Sequence, residues 1–167
     1  SLNYLPTPAT RRLGLLALGL ATLLPMLGGS LANMVLPALG QAFAVPFASL
    51  QWVLVAYLLG ITCLTVVAGR LGDRFGRRRL LLLGLGLFAL ASLLCTLAPT
   101  IGWLIAARAL QGIAAACMLS LALAMLGQLV PPARRGWGMG LLGTLSGCGT
   151  ALGPSFGGLL TPSFGWQ

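Results

Sequence analysis

The sequence predicts an all-α membrane protein in which five apolar helices cross a lipid bilayer. Three observations support this prediction: the composition, the length of the apolar runs, and the positions of the arginines between those runs. The 167 residues are 58% hydrophobic and 7% charged, with a mean hydropathy of +1.00. A soluble domain of this length needs a polar surface, and this sequence has too few polar side chains to form one.

Each of the five apolar runs is about long enough to be a membrane span. A helix needs roughly 20 apolar residues to cross the hydrocarbon core, and a lipid environment favours helices because their backbone hydrogen bonds are closed. We place the spans at about 13–36, 50–68, 80–97, 101–129 and 137–160, with Pro37 closing the first. Residues 1–12 form a predicted cytoplasmic tail. Residues 161–167 form a predicted outer-side tail that leads to a missing sixth helix.

The arginines alternate along the connections between these spans. The tail, the four loops and the last segment carry 2, 0, 5, 0, 2 and 0 arginines in chain order, which accounts for nine of the ten. Because cytoplasmic loops carry the excess of positive charge, the pattern predicts an integral multi-pass protein with a cytoplasmic N-terminus. The first apolar run is longer than a typical signal-peptide core and four more runs follow, so we interpret it as a retained span.

Several function classes are disfavoured by the composition. The net charge of +9 comes from short arginine clusters without interleaved aromatic residues, so nucleic acid is not an expected partner. The sequence has no His and a single acid, Asp73, so the acid–base groups that an enzyme needs are absent from the predicted spans. The four cysteines lie in different spans without CxxC spacing, so we expect no metal site and no disulfide framework.

The second loop contains the most specific pattern in the sequence, GRLGDRFGRRR at residues 69–79. Topology alone explains the arginines of this loop. Asp73 lies between Arg70 and Arg74, where a carboxylate can pair locally or cap a helix N-terminus. The pattern closely resembles the signature loop between the second and third helices of the major facilitator superfamily. The matching positions are Gly69, Arg70, Gly72, Asp73, Arg74, Gly76, Arg77 and Arg78.

Three further segments resemble motifs of the same superfamily, in the same order along the chain. LGGSLANMVLP at 27–37 is similar to the first-helix motif of the branch that exports drugs against protons, and Gln51, Trp52 and Tyr57 fit its fourteen-helix members. LIAARALQGIA at 104–114 resembles the fourth-helix motif. The segment 143–158 resembles the fifth-helix motif of antiporters, and its matching positions are Gly149, Gly153, Pro154, Gly157 and Gly158.

The resemblance implies the fold and a function. It implies the N-terminal half of a major-facilitator fold, present here as an incomplete N-terminal portion because spans four and five lack the third helix of their repeat. It implies proton-coupled multidrug efflux by alternating access, with no cofactor beyond the proton gradient. The implied partners are the lipid bilayer, a small amphipathic or cationic substrate, and the remaining helices of the transporter. The implied location is the bacterial plasma (inner) membrane.

Arg108 is the charged residue that the sequence places inside a span. It lies seven residues into the fourth span, roughly 10 Å from its outer end at about 1.5 Å per residue. An Arg inside a membrane costs at least ~2.5 kcal/mol, so it is normally paired or faces water. Its partners are expected to be backbone carbonyls, cavity water, substrate or a helix outside the sequence. Snorkelling to the outer interface is the alternative.

The resemblance implies a coupling role for Arg108, with Gln111 and Gly112 shaping the same face of the central cavity. Ser30 and Asn33 are further polar candidates for that cavity, although polar residues in spans often merely bond a neighbouring helix. The drug-exporting branch usually carries an Asp where this sequence has Gly28. We therefore expect the proton-binding carboxylate beyond residue 167, or a different coupling.

The fifth span is expected to pack against protein because small residues recur at intervals of four, at Gly149, Gly153 and Gly157. Pro154 removes a backbone donor and predicts a bend; the resemblance adds a cavity-shaping role.

Two alternatives for the function stay open: a superfamily transporter of a small metabolite, and a membrane subunit or fragment that does not transport.

Overall fold

The computed structural model describes the backbone of residues 8–164 and the side chains of residues 12–156. The described chain is built from helices, which confirms the predicted all-α membrane fold. Four of these helices are long and apolar enough to cross a membrane when only the described residues are considered. The five α-helices are α1 (Pro8–Phe43), α2 (Phe47–Phe75), α3 (Arg77–Thr96), α4 (Ile101–Leu129) and α5 (Arg135–Phe164), with a 3-10 turn at Pro132–Arg134.

Helix α4 is the central helix and packs against α1, α2 and α3. Its boundaries follow from local sequence signals. The Thr100 hydroxyl accepts a hydrogen bond from the backbone N–H of Trp103 at 3.3 Å, which caps the N-terminus. Pro131 and Pro132 follow its C-terminus, where they cannot continue the backbone hydrogen bonding. Helix α4 therefore covers the residues predicted for the fourth span.

Helices α2 and α4 cross in backbone contact because both carry a glycine at the crossing point. A Cβ on Gly60 would lie 2.7 Å from the carbonyl oxygen of Ala109. A Cβ on Gly112 would collide with the carbonyl oxygen of Tyr57. Lipid supplies no hydrophobic force for helix association, so this close approach is how the two helices gain contact area.

Helices α1 and α5 form a second close contact of the same kind. A Cβ on Gly149 would lie 2.7 Å from the carbonyl oxygen of Leu23, and a Cβ on Gly153 would collide with the Ser30 side chain. The Ser30 hydroxyl donates to the carbonyl oxygen of Thr150 at 2.6 Å. The surroundings of Gly157 and Gly158 lie outside the part of the chain whose side chains are described. Residues 1–7 and 165–167 of the predicted tails lie outside the described backbone.

The first helix is longer than the sequence predicts. Pro37 was expected to close it, and that expectation is wrong: α1 continues through Pro25 and Pro37 to Phe43. A proline removes one backbone donor, but a membrane helix tolerates it because neighbouring helices, Ser/Thr side chains, water and local adjustments satisfy the backbone groups that it frees. The predicted first loop, 38–49, shrinks to residues 44–46. Residues 8–12 of the predicted tail already belong to the helix.

The predicted second loop is also mostly helical. Helix α2 continues to Phe75 and α3 begins at Arg77, so Gly76 is the whole connection. Gly76 has a φ of +94°, a conformation that glycine adopts without a side-chain clash, and its N–H donates to the carbonyl oxygen of Gly72 at 3.1 Å. Gly72 is not a turn residue but a packing position, because a Cβ there would collide with Leu121 of α4.

A buried arginine beside an apolar cavity

Arg108 points into the helix bundle and not towards its surface. Only 6% of the residue is exposed, so the snorkelling alternative does not describe its position. The guanidinium Nη1 donates to the side-chain oxygen Oε1 of Gln111 at 2.5 Å and, more weakly, to the carbonyl oxygen of Gly28 at 3.4 Å. The expected backbone-carbonyl partner of Arg108 is therefore present. The side chain of Gln111, one turn along α4, is a second hydrogen-bond partner.

Gln111 connects Arg108 to α3 through a short chain of hydrogen bonds. Its amide Nε2 donates to the Ser92 hydroxyl at 2.8 Å, and that hydroxyl donates to the carbonyl oxygen of Phe88 at 2.8 Å. Every donor in the chain points away from Arg108, so the side-chain oxygen of Gln111 is the atom that accepts from the guanidinium. This polarity fixes the orientation of the Gln111 side-chain amide.

The ring of Tyr57, on α2, is the second major contact of Arg108. The guanidinium carbon lies 4.5 Å from the ring centroid, which is a cation–π distance. Such a contact is worth ~2 kcal/mol when it is desolvated. The Tyr57 hydroxyl donates to the carbonyl oxygen of Pro25 at 2.6 Å, so the phenol ring is held between α1 and α4. This contact was not predicted from the sequence.

Two nitrogens of Arg108, Nε and Nη2, are buried and have no hydrogen-bond partner among the described residues. A buried donor without a partner costs about 1–3 kcal/mol, and more when the group is charged. The single acid of the chain cannot compensate, because Asp73 pairs with Arg77 at the junction of α2 and α3. The guanidinium therefore has unused donor capacity in a place that water reaches poorly.

A cavity of about 330 Å³ lies beside the guanidinium, between α1, α2, α3 and α4. Its volume is within the range of sites that hold small molecules. Most of its wall is aliphatic or aromatic, and its polar groups belong to α3 and α4. Those polar groups come from Ser92, Cys95, Thr96, Arg108 and Gln111.

The other predicted cavity residues lie in different places. Ser30 and Asn33 line a smaller cavity of about 240 Å³ between α1, α2 and α5, with Tyr57 and Thr150. Tyr57 lines this smaller cavity and is not part of the lining of the larger one. Gly112 does not line either of them; it lies at the crossing with α2. Its effect on the site is indirect, since the crossing sets the distance between Tyr57 and Arg108.

The predicted signature residues gather at the junction of α2 and α3. Asp73 accepts hydrogen bonds on Oδ1 from Nε and Nη2 of Arg77 at 3.0 and 2.7 Å, and Nη1 of Arg77 donates to the carbonyl oxygen of Ala124 at 3.0 Å. Asp73 thus pairs with Arg77 and not with Arg70 or Arg74, and the N-terminus of α3 has no side-chain cap. The cluster ties the α2–α3 junction to α4.

The structure defines an integral, multi-pass membrane protein, in which glycine-packed apolar helices surround a buried charged group and a cavity. The profile of the Major Facilitator Superfamily matches residues 18–167. The chain therefore belongs to the major facilitator superfamily, a family of membrane transporters.

The relatives are named for drug resistance and for transport. The chain is 38% identical over 159 residues to "Multidrug resistance protein Stp" of Mycobacterium tuberculosis, covering 95% of this chain and 30% of that protein. It is 42% identical over 155 residues to "Puromycin resistance protein pur8" of Streptomyces alboniger, covering 92% and 31%. It is 32% identical over 140 residues to "Riboflavin transporter RibZ" of Clostridioides difficile, covering 84% and 31%. The chain thus spans about 30% of the length of these curated relatives.

Proposed function

We propose that this chain forms part of a proton-coupled exporter that moves small amphipathic molecules across the membrane by alternating access. The observation that carries the proposal is the Arg108 site: a charged group with unused donors, buried beside a mostly apolar cavity between four helices. A charged residue inside a span is costly and marks a substrate or ion pathway by default. The names of the relatives support efflux as the direction of transport.

The packing supports movement of helices as rigid groups. Glycines bring α2 into backbone contact with α4, and other glycines bring α1 into contact with α5. Alternating access is largely a rigid-body rocking of helix bundles around a site near the membrane midplane. We infer that the α2–α4 crossing and the α1–α5 contact stay closed during transport, while the cavity at Arg108 opens and closes against helices of the assembled transporter.

Proton coupling requires a group that binds and releases a proton. The predicted spans contain no carboxylate, because the single acid of the sequence is Asp73. We propose that Arg108 responds to a carboxylate supplied elsewhere in the assembled transporter, and that its position shifts when that carboxylate is protonated. Gln111 would transmit such a shift to α3 through Ser92.

We further propose the topology and location that the arginines predict. The ends of α2 and α4 and the starts of α1, α3 and α5 would face the cytoplasm, and the chain would reside in a bacterial plasma membrane. The Asp73–Arg77 cluster would then lie on the cytoplasmic side, where its hydrogen bonds connect α2 and α3 to α4. The fifth-helix positions Gly149, Gly153 and Pro154 would shape the α1–α5 contact.

The test is dye efflux from a drug-sensitive bacterium that expresses the gene's complete reading frame. A panel of ethidium, Nile red and fluorescein provides a cationic, a neutral and an anionic dye. We expect energised efflux of at least one dye, its loss on adding a protonophore, and its loss in Arg108→Ala at unchanged membrane abundance. Arg135→Ala is the matched control, because Arg135 is exposed at the start of α5, away from the cavity.

A second function is favoured by one specific observation, the 32% identity to a protein named as a riboflavin transporter. A metabolite transporter would use the same cavity and the same buried arginine. Absence of dye efflux from the intact parent, together with uptake or release of a radiolabelled metabolite, would replace the exporter proposal with this one. Undiminished dye efflux in Arg108→Ala would mean that coupling does not depend on this residue.

A further inference from the structure

A groove between α1 and α5 has a strip of aliphatic side chains and a guanidinium at one end. Its volume is about 440 Å³. Arg12 and Gly19 belong to its lining, on the same face of α1 as most of the leucines. The aliphatic lining consists of Leu15, Leu16, Leu20 and Leu23 on α1 and of Leu141 and Leu145 on α5. The groove is therefore amphipathic along its length, with its charge at the start of α1.

The groove is open to the surroundings of the described helices. Leu16 is 65% exposed and Leu20 is 57% exposed. Arg12 is exposed as well. A molecule in the membrane can therefore reach both the aliphatic strip and the guanidinium without a movement of the described helices.

The two walls of the groove run parallel and in contact. A Cβ on Gly19 would lie 2.6 Å from Cδ1 of Leu145, and further along the helices a Cβ on Gly149 would lie 2.7 Å from the carbonyl oxygen of Leu23. The same separation in sequence relates both pairs, so α1 and α5 keep one register along the groove. The groove therefore follows the direction of the two helices.

The length of the groove is close to the thickness of one leaflet. From Arg12 to Leu23 the lining of α1 rises roughly 16 Å at about 1.5 Å per residue. One leaflet contributes about 15 Å, half of the roughly 30 Å hydrocarbon core. An acyl chain that begins at a membrane surface beside Arg12 would thus meet leucines over the depth of its own leaflet.

Arg12 lies at the depth of a membrane surface. The register of α1 and α5 places Arg12 level with Gly138, next to Trp137. Trp137 is 57% exposed, and tryptophans are enriched at the level of the lipid headgroups. The guanidinium is therefore at headgroup depth, while the leucines of the groove lie at the depth of the hydrocarbon.

We propose that the α1–α5 groove binds an anionic phospholipid of the cytoplasmic leaflet. One acyl chain lies along the leucines, and phosphate oxygens accept hydrogen bonds from Arg12, since a guanidinium matches a phosphate with two parallel donors. Basic sites between helices on the cytoplasmic side are where anionic headgroups bind. This inference goes beyond the proposed function. It uses the proposed topology to name the leaflet, and it requires neither efflux nor proton coupling.

The first test identifies the molecule in the groove by photo-crosslinking. Leu16→p-benzoylphenylalanine is introduced into the product of the complete reading frame, which is reconstituted in liposomes of equal parts dioleoyl phosphatidylglycerol and dioleoyl phosphatidylcholine. Mass spectrometry after irradiation measures the two lipid adducts. We expect at least three-fold more phosphatidylglycerol adduct than phosphatidylcholine adduct. Both leaflets have the same composition, so the result does not depend on the orientation of the protein.

Val66→p-benzoylphenylalanine is the matched control for the general attraction of anionic lipids to arginines. Val66 is 68% exposed and lies four residues before Arg70 on α2, as Leu16 lies four residues after Arg12 on α1. Val66 does not belong to the lining of the α1–α5 groove. The ratio of phosphatidylglycerol to phosphatidylcholine adduct should therefore be at least two-fold higher at Leu16 than at Val66.

Substitutions assign the lipid preference to the guanidinium and to the groove. With the probe at Leu16, Arg12→Gln removes the charge and should lower the adduct ratio to about one. Arg12→Lys keeps a cation and should retain part of the preference. Leu20→Trp puts a larger side chain at an exposed position of the groove, and it should lower the yield of both lipid adducts. Arg135→Gln removes a positive charge at the start of α5, outside the groove lining, and should leave the ratio unchanged.

The outcomes separate this inference from the proposed function. Equal adducts of the two lipids at Leu16, or equal ratios at Leu16 and Val66, overturn the inference even if the protein exports dyes. A crosslink from Leu16 to another part of the transporter in place of lipid also overturns it, and so does an unchanged ratio in Arg12→Gln. A phosphatidylglycerol preference that depends on Arg12 supports the inference even if dye efflux fails, because the crosslinking needs no transport.

Discussion

Arg77 and Arg108 lie on adjacent helices and differ in how their guanidinium groups are bonded. Arg77, at the start of α3, is 31% exposed, and all three of its nitrogens donate hydrogen bonds, to Asp73 and to the carbonyl oxygen of Ala124. Arg108 is 6% exposed, and only one of its nitrogens donates. In the arginine that water can reach, every nitrogen has a hydrogen-bond partner in the protein, whereas two nitrogens of the buried arginine have none among the described residues.

This difference distinguishes a group that stabilises the fold from a group that the fold tolerates. A buried charge with incomplete pairing lowers stability, so it is retained where function needs it. Removal of Arg77 breaks bonds that are already made. Removal of Arg108 breaks fewer bonds and also removes a desolvated charge.

Gly112→Leu should have the largest effect, because it destroys the helix crossing that positions Arg108. The new side chain would collide with the carbonyl oxygen of Tyr57, which is backbone and cannot move aside. We expect a loss of more than about 4 kcal/mol and no monodisperse protein in detergent size-exclusion chromatography. Gly86→Leu is the control, because no atom lies within 4 Å of a Cβ at Gly86. A normal elution profile for Gly112→Leu would contradict the close crossing.

Tyr57→Leu and Tyr57→Phe separate the two contacts of the tyrosine. Tyr57→Phe removes the hydrogen bond to Pro25, for about 1 kcal/mol. Tyr57→Leu also removes the cation–π contact and aromatic packing, for about 3 kcal/mol in total. Thermal unfolding in nanodiscs, followed by circular dichroism at 222 nm, measures both variants. Equal destabilisation by the two substitutions would show that the ring contributes nothing to holding the guanidinium.

Arg108→Met and Arg77→Met should differ in sign. We expect Arg108→Met to leave the stability unchanged or to raise it by up to about 2 kcal/mol, since a buried ion is replaced by an apolar side chain. We expect Arg77→Met to lower it by about 1 kcal/mol, since partly exposed bonds are lost. The same thermal unfolding assay compares them. If Arg108→Met is the less stable variant, the contrast between the two arginines is wrong.

Asp73→Asn should lower the stability only slightly, by about 0.5 kcal/mol, because its ion pair with Arg77 is a surface pair. The loss should shrink further when NaCl is raised from low ionic strength to 0.5 M, because salt screens exposed charges. Unfolding temperatures of the parent and the variant at two salt concentrations check this. A large effect that salt does not reduce would indicate that Asp73 has a buried partner not present among the described residues.

The bounds of the helices were predictable where several local sequence signals agreed. They were not predictable where one residue type, proline or glycine, has two structural roles. Helix α4 covers residues 101–129, the range given to the fourth span, and two local signals mark its ends: a capping threonine begins it and two prolines follow it. Pro37 gave a false end to α1, because a proline within a membrane helix need not break it. Gly72 and Gly76 both lie in the predicted second loop. Only Gly76 has a positive φ, whereas Gly72 makes room for Leu121.

The candidate site was predictable in its centre and not in its surroundings. Arg108 was singled out because a lone charge inside an apolar span requires an explanation, and Gln111 lies one turn from it on α4. The contact with Tyr57 depends on the α2–α4 crossing, where Gly60 and Gly112 meet. Nothing in the spacing along the chain relates those two glycines, so the ring was not assigned to the arginine.

The link of one glycine between α2 and α3 has a mechanical consequence. With Gly76 as the whole connection, the two helices share a single pivot whose torsion is set by one pair of backbone angles. The end of α2 and the start of α3 are therefore separated by one residue, and a displacement of one end must be accompanied by a displacement of the other or by rotation about these two angles. A residue with a side chain at this position would be strained at a positive φ, and relief of that strain would change the angle between α2 and α3.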